Sequence, residues 1–252
     1  MNETILIQGR KHGGCSFLFN KSISSNITYI ELLSKRVCCI RVKTEFGLLY
    51  IFNVYMPCDS NNDDKLQEYN DVLSTISTCL NMYNVEFCIV AWDLNTDLLR
   101  LKSGNTTSLN SFVENENLEY ILKKFPSKVE FTFTGIKNNK SLIDHYIISH
   151  NLIENVTDYY TYDSIDNLSD HVPLYCILGC KIDSIEYIAS PIGGLKPQWG
   201  TASPDQIKKY KENLDNRFQM FSPFDGVINV LTHRHVRITM TLLLFTTKSY
   251  IH

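Results

Sequence analysis

The 252-residue chain has no long apolar run near either end. Leu242-Leu243-Leu244-Phe245 is far short of the roughly 20 residues that cross a bilayer. It has no signal-peptide pattern either, because Met1 to Arg10 offers neither a basic lead nor an apolar core. The expected location is therefore intracellular, nuclear or cytoplasmic, with no membrane partner. Neither sign of charge dominates: 24 Lys and Arg stand against 27 Asp and Glu, a net −3. Any contact with DNA must then come from a local basic patch. There is no CxxC pair among the eight cysteines, Cys15, Cys38, Cys39, Cys58, Cys79, Cys88, Cys176 and Cys180. Most lie in apolar, strand-like runs, which argues for buried free thiols rather than a zinc site or disulfide framework. Internal repeats are absent.

What is present is the composition of an ordinary globular domain, 44% apolar and 20% charged. Gly13 to Phe19 reads as a turn leading into a strand, followed by a polar loop from Asn20 to Asn26. Val37 to Lys43 and Leu48 to Val54 are rich in β-branched residues around the turn Thr44-Glu45-Phe46-Gly47, which predicts an antiparallel pair. Pro57 ends the second strand. Leu66, Tyr69, Leu73, Ile76 and Leu80 recur three or four apart, giving a helix over 63–83 with Asp63 and Asp64 at its positive end. Phe87 to Ala91 is the apolar run of a strand buried on both faces. It breaks into Asp93-Leu94-Asn95-Thr96-Asp97, a cluster of short polar side chains that favours a loop.

A strand, a long helix and another strand in succession point to an α/β layered fold. Beyond it the pattern gives short helices at 105–116 and 118–124, and strands at 130–134, 141–149, 155–162 and 174–178. A basic hairpin-like loop, Gly135 to Lys140, carries Lys137 and Lys140. After Gly179 a linker rich in Pro and Gly leads to a charged helix at 203–217, and residues 219–252 show no packing pattern. The expected organisation is one domain over 1–182, a linker with a helix over 183–218, and an unpatterned tail over 219–252.

Four polar clusters each follow an apolar strand: Tyr55; Asp93 with Asn95; Asp144 with His145; and Asp170 with His171. Each alone also fits a blander role, a capped turn, a surface Asp-His pair or a core tyrosine. Together, carboxylates, an amide, an imidazole and a phenol suit metal-assisted attack of water on a phosphodiester. Hard Mg²⁺ or Mn²⁺ takes oxygen ligands, and the transition-state charge needs donors.

The order of Asn53-Val54-Tyr55-Met56-Pro57, Trp92-Asp93-Leu94-Asn95-Thr96, Ser141-Leu142-Ile143-Asp144 and Leu168-Ser169-Asp170-His171-Val172-Pro173 resembles the endonuclease/exonuclease/phosphatase (DNase I-like) superfamily. Its wording looks most like the endonuclease domain of LINE-type retrotransposon polyproteins. The resemblance implies a four-layered α/β sandwich, two mixed sheets face to face with helices outside, acting on DNA with Mg²⁺ or Mn²⁺. It makes Asp93 the residue that orients or deprotonates water and Asn95 the amide that steadies water and phosphate. His171 becomes the imidazole on the scissile phosphate, held by Asp144. Asp170 is the acidic residue near the metal, Tyr55 a phenol donor, and His145 a structural residue. A phosphatase or lipid phosphodiesterase of the same superfamily is the first alternative; an inactive relic binding nucleic acid weakly through Lys137 and Lys140 is the second. No protein partner is implied.

Relatives begin with a strand ending in Asn and later a Glu, the main metal ligand, both ahead of the Gly-Gly segment. Only twelve residues precede Gly13 here. The resemblance therefore implies a chain that lacks the first strands and is impaired. Ala91-Trp92 also replaces the usual Gly-Gly before the aspartate.

Overall fold

The computed structural model describes residues 15–19, 21–60, 62–100, 103–135, 138–162, 167, 169–182 and 238–241. Strands β1 (Ile27–Ile30), β2 (Val37–Thr44), β3 (Gly47–Tyr55) and β4 (Phe87–Asp93) belong to a six-stranded sheet with β5 (Leu118–Tyr120) and β8 (Asp144–Ser149). Its order is β1-β2-β3-β4-β8-β5. The β3–β4 pair is parallel and the others are antiparallel. Strands β6 (Phe133–Thr134) and β7 (Lys140–Ser141) form a small hairpin. Strand β10 (Leu174–Leu178) lies between β9 (Val156–Thr161) and β11 (Ile238–Thr241) in a second sheet.

Helix α1 (Asp63–Met82) crosses over between β3 and β4. Its N-cap Asn62 accepts from the backbone N–H groups of Asp64 and Lys65, and Asp63 and Asp64 complement its dipole. Tyr69, Val72, Leu73, Ile76, Cys79 and Leu80 are buried along one face. They pack with Leu109, Phe112 and Val113 of α2 (Gly104–Asn115) on one side of the sheet, against Tyr50, Phe52 and Val54 of β3 and Cys88 and Val90 of β4. The alternate residues Leu49, Ile51, Ile89 and Ala91 point the other way. There they meet Val156, Tyr159, Leu174, Cys176 and Leu178 of the second sheet. A period of two with both faces covered is why β3 and β4 read as continuous apolar runs. The result is the expected mixed α/β sandwich, two sheets face to face; among the described residues, α-helices cover the outer face of the six-stranded sheet.

Several local expectations are corrected. Residues 15–19 are not a strand; the Ser16 carbonyl accepts from Asn53 Nδ2 at 2.7 Å. The polar stretch before Asn26 contains a 3₁₀ turn over Lys21–Asn26 and leads into β1, whose exposed Thr28 and Tyr29 weaken any apolar signal. Leu118–Tyr120 is a strand, with only Ile121–Lys123 helical. The strand expected over 141–149 divides, because Ile143 leaves the ladder and its carbonyl accepts from Leu94 N–H at 3.1 Å. Within the region expected to be unpatterned, Ile238–Thr241 pairs antiparallel with β10; four alternating apolar and Thr residues are too short a run to stand out. The linker and the helix expected at 203–217 lie outside the described residues. Six cysteines are buried free thiols, Cys15 is half-buried and Cys58 exposed.

Candidate active site

Asp93 ends β4. In the sheet register it sits beside Tyr55 of β3 and opposite Asp144 of β8. Asp93 and Asp144 continue the rows Ile89–Ala91 and Ile148–Tyr146, so both carboxylates enter the space between the sheets. His171 reaches the same space from the loop before β10. Its Nδ1 lies 3.0 and 3.2 Å from the two carboxylate oxygens of Asp144, and its Nε2 lies 4.0 Å from Asp93 Oδ2. The imidazole is therefore strung between two carboxylates and rests edge-on against Phe133 at 4.9 Å. All three groups are nearly closed to solvent: Asp93 is 3% exposed, Asp144 2% and His171 7%.

Burial, and then the charge of Asp144, push the Asp93 carboxyl up to about 7, with His171 and the Asn95 hydrogen bonds pulling the other way. Burial works against a charged His171. The Asp144 hydrogen bond and the charges of Asp144, Asp93 and Asp170 outweigh it and raise the imidazole to about 9. Near neutral pH one member of the pair is poised to take a proton and the other holds one.

The supports differ along the chain. Asp93 Oδ1 accepts from the N–H of Asn95 at 3.0 Å, and Asn95 Nδ2 donates to the Met56 carbonyl at 2.8 Å. This ties the loop after β4 to the end of β3. The turn demands left-handed backbone at Trp92 (φ 118°) and Asn95 (φ 46°). Asn adopts that region readily; for an indole-bearing residue it is strained. Thr96 anchors the next step. Its carbonyl accepts from His145 Nε2 at 2.8 Å, and its hydroxyl bonds the Tyr69 hydroxyl at 2.7 Å. His145 is thus a buried structural residue, held below its ordinary pKa chiefly by burial.

On the other side, the fully buried Thr132 hydroxyl accepts from the N–H groups of Ile143 (3.2 Å) and Asp144 (3.0 Å). Its own N–H and carbonyl bond Ser141 and Val172. Asn167 Nδ2 donates to the His171 carbonyl, and the Ser169 hydroxyl accepts from the His171 N–H.

Tyr55 is half-buried, with the Arg36 guanidinium 5.6 Å from its ring centre and Arg36 Nη1 donating to its carbonyl at 3.1 Å. Arg36 Nε is paired with Glu68 at 2.7 Å. The sequence reading missed Arg36, Thr132 and Thr96, whose bonds to Tyr55, Asp144, Tyr69 and His145 join distant parts of the chain and leave no local signal. Asp170 is half-buried next to His171 and its carbonyl accepts from Thr134 N–H at 2.8 Å. Lys140 is exposed, 3.8 Å over the Phe131 ring; Lys137 lies outside the described residues. The structure therefore gathers Asp93, Asn95, Asp144, His171 and Tyr55 at one end of the sheet, while Lys140 stands on the β6–β7 hairpin.

No three His, Cys, Asp or Glu side chains among the described residues group as a metal cage. Both oxygens of Asp144 face His171 and Asp93 Oδ1 accepts from Asn95, while Asp93 Oδ2 lies 4.0 Å from His171 Nε2. Magnesium keeps several of its waters and takes only one or two protein carboxylates; of this pair Asp93 Oδ2 is the oxygen that would serve it, since both Asp144 oxygens face His171.

Two buried carboxylates and an imidazole thus meet between the two sheets at the ends of β4 and β8. Residues 49–175, half of the chain, match the family model described as Endonuclease-reverse transcriptase, and the chain belongs to that family, within the endonuclease/exonuclease/phosphatase superfamily of hydrolases. That superfamily is generally dependent on a divalent metal. No curated protein sequence matches the chain. Similar solved structures include the 3′ phosphatase NExo from Neisseria bound to a product DNA hairpin, at 14% identity and TM-score 0.48 over 63% of this chain and 70% of that one. An AP endonuclease from Archaeoglobus fulgidus is similar at 19% identity and TM-score 0.46, over 61% and 70%. The Xenopus laevis APE2 catalytic domain is similar at 18% and 0.49, over 61% and 58%. No helix among the described residues is long and apolar enough to cross a membrane.

Proposed function

We propose that the chain hydrolyses phosphodiester bonds in DNA as the nicking endonuclease domain, over residues 1–182, of a retrotransposon-derived protein. The observation that carries this reading is the buried His171 imidazole held 3.0 Å from Asp144 and 4.0 Å from Asp93 between the two sheets. Asp93 Oδ2, 4.0 Å from His171 Nε2, takes the proton of an attacking water. His171, kept charged by Asp144, donates from Nε2 to the phosphoryl oxygen on which negative charge builds. Tyr55 adds a phenol donor, and Asn95 holds the Asp93 loop and offers its amide oxygen to the water. Water adds to phosphorus, the bond to the 3′ oxygen breaks, the leaving 3′ oxygen takes a proton from solvent, and the nick bears a 3′-hydroxyl.

Dependence on Mg²⁺ or Mn²⁺ belongs to this proposal through the family, with Asp170 as the described acidic residue nearest to such a role. No step above passes through the ion. Lys140 and Lys137 are assigned weak contact with the DNA backbone.

The test is conversion of supercoiled plasmid to open circles with Mg²⁺, with Mn²⁺ and with chelator. We expect metal-dependent nicking that Asp93→Asn lowers by about 10²–10⁴-fold, the usual worth of a general base. Hydrolysis of a phosphorylated lipid headgroup without plasmid nicking would replace this reading by the phosphatase alternative.

A further inference from the structure

The thiols of Cys15 and Cys38 meet at the end of the β2–β3 pair. Along β2, Ile40 and Val42 belong to the core between the sheets and Cys39 to the core beneath α1. By the strand period of two, Cys38 therefore points between the sheets, next to its register partner Asn53. Asn53 Nδ2 donates to the Ser16 carbonyl at 2.7 Å, which lays residues 15 and 16 over this part of the sheet. The Cys15 thiol donates to the Arg36 carbonyl at 3.2 Å, two residues before Cys38. That carbonyl also accepts from the Tyr55 N–H at 2.8 Å. The Cys15 and Cys38 thiols are themselves hydrogen-bonded to each other.

The surroundings of the two sulfurs differ. Cys15 is half-buried, whereas Cys38 is only 8% exposed. The Cys38 hydrogen bond above all holds the Cys15 thiol below its ordinary pKa, against the effect of burial and with help from the Tyr55 N–H and the Arg36 charge. The same bond, and then burial, push Cys38 far above the ordinary range. On ionising, Cys15 gives up its bond to the Arg36 carbonyl and keeps the Cys38 and Tyr55 donors. Thiolate is the nucleophilic form, so Cys15 attacks first while Cys38 stands by as a protonated partner. Cys39 and Cys79 also share a hydrogen bond, but both are buried in the core beneath α1, and burial pushes both thiols up. A dissolved oxidant meets neither of them as a thiolate.

We propose that Cys15 and Cys38 form an oxidation site, a reactive thiol with its resolving partner, at which hydrogen peroxide installs a disulfide. The Cys15 thiolate attacks one peroxide oxygen and the O–O bond breaks. The departing hydroxide takes up the proton that Cys15 released and leaves as water. Cys15 is then a sulfenic acid, oxidised by two electrons. The Cys38 sulfur attacks it, the S–S bond forms, and the sulfenic hydroxyl leaves with the Cys38 proton as a second water. Two thiols and one peroxide thus become one disulfide and two waters. Sulfurs already in contact need little movement to reach the bond length of about 2.05 Å. The product ties the segment at Ser16 covalently to β2, beside Arg36 and its bond to the Tyr55 carbonyl. The assignment does not depend on the nuclease reading.

The test treats the folded full chain with hydrogen peroxide, blocks the remaining thiols by alkylation before unfolding, and maps the peptides by mass spectrometry without reductant. A peptide pair joined through Cys15 and Cys38, lighter by two hydrogens, should be the main cysteine product and should be lost on adding dithiothreitol. It should form about tenfold or more faster than any product at Cys39 or Cys79, whose thiols keep their protons. In Cys38→Ser the sulfenic acid has no resolving thiol, so dimedone should label Cys15; in Cys15→Ser, Cys38 should stay a thiol. Peroxide that oxidises Cys58 and leaves Cys15 a thiol would overturn the proposal. So would a main product joining Cys15 or Cys38 to any other cysteine, or a Cys15–Cys38 bond that forms equally fast in concentrated urea, where the folded contact is gone.

Discussion

Asp93 and Asp144 face each other across β4 and β8, yet the two corners they occupy are built by opposite means. The Asp93 corner is local and strained. It needs a left-handed backbone at Trp92 and Asn95, and hydrogen bonds from residues two apart, to turn the chain out of the sheet. The Asp144 corner is long-range and relaxed. It lies in regular strand, and its position is set by Thr132 and by His171, 12 and 27 residues away along the chain. The Asp93 carboxylate itself is bonded within its own loop, and that of Asp144 to a residue distant in the chain. The first should tolerate distant changes and suffer from local ones; the second should do the opposite.

The largest way to break that contrast is Asp144→Ala. It leaves a buried imidazolium whose other carboxylate is 4.0 Å away, and loss of one partner of a buried pair costs about 3–5 kcal/mol. Chemical denaturation should register the loss, nicking should fall to background, and the His171 pKa should drop from about 9 toward its ordinary value, readable by NMR titration. Next in size is Thr132→Val. The methyl group leaves the N–H groups of Ile143 and Asp144 buried without that acceptor, a cost of about 2 kcal/mol. A matching fall in nicking rate with unchanged dependence on the Asp93 limb would mark the damage as confined to the Asp144 side.

The smallest expected effect is the most specific. At position 92, glycine should be more stable than alanine by about 1 kcal/mol, the reverse of the order in regular strands, because only glycine adopts φ 118° without penalty. Comparing Trp92→Gly with Trp92→Ala cancels the loss of the indole, so the thermal midpoints report the backbone alone. Equal midpoints would mean that the Asp93 corner is not strained.

The same contrast accounts for what could be read from the sequence. Periodicity revealed α1, α2, β2, β3, β4 and β10, because each buries a regular stripe or run. Asp93, Asn95, Asp144, His171 and Tyr55 carry the short motifs at strand ends, and the structure places them at one end of the sheet, Tyr55 through its register beside Asp93. Strand β1 escaped because it is an edge with exposed Thr28 and Tyr29. The break at Ile143 escaped because Leu142 and Ile143 are as apolar as the strand they precede. Arg36, Thr132 and Thr96 act through partners 12 to 49 residues distant, a separation that no local pattern encodes. The Trp at position 92 signalled an unusual turn, but its φ could come only from the fold.

Both titrating groups bind protons more tightly in the folded chain than in the unfolded one. Their contribution to stability is therefore lost as pH rises, between 3.8 and about 7 for Asp93 and between 6.5 and about 9 for His171. Activity follows a different course, since it requires Asp93 without its proton and His171 with one. The pH dependence of single-turnover plasmid nicking measures that requirement directly. The account predicts a bell, rising through about pH 7 and falling through about pH 9, with Asp144→Ala abolishing it. A rate that is flat across this range, or a bell unchanged by Asp93→Asn, would contradict the assignment of base and acid to Asp93 and His171.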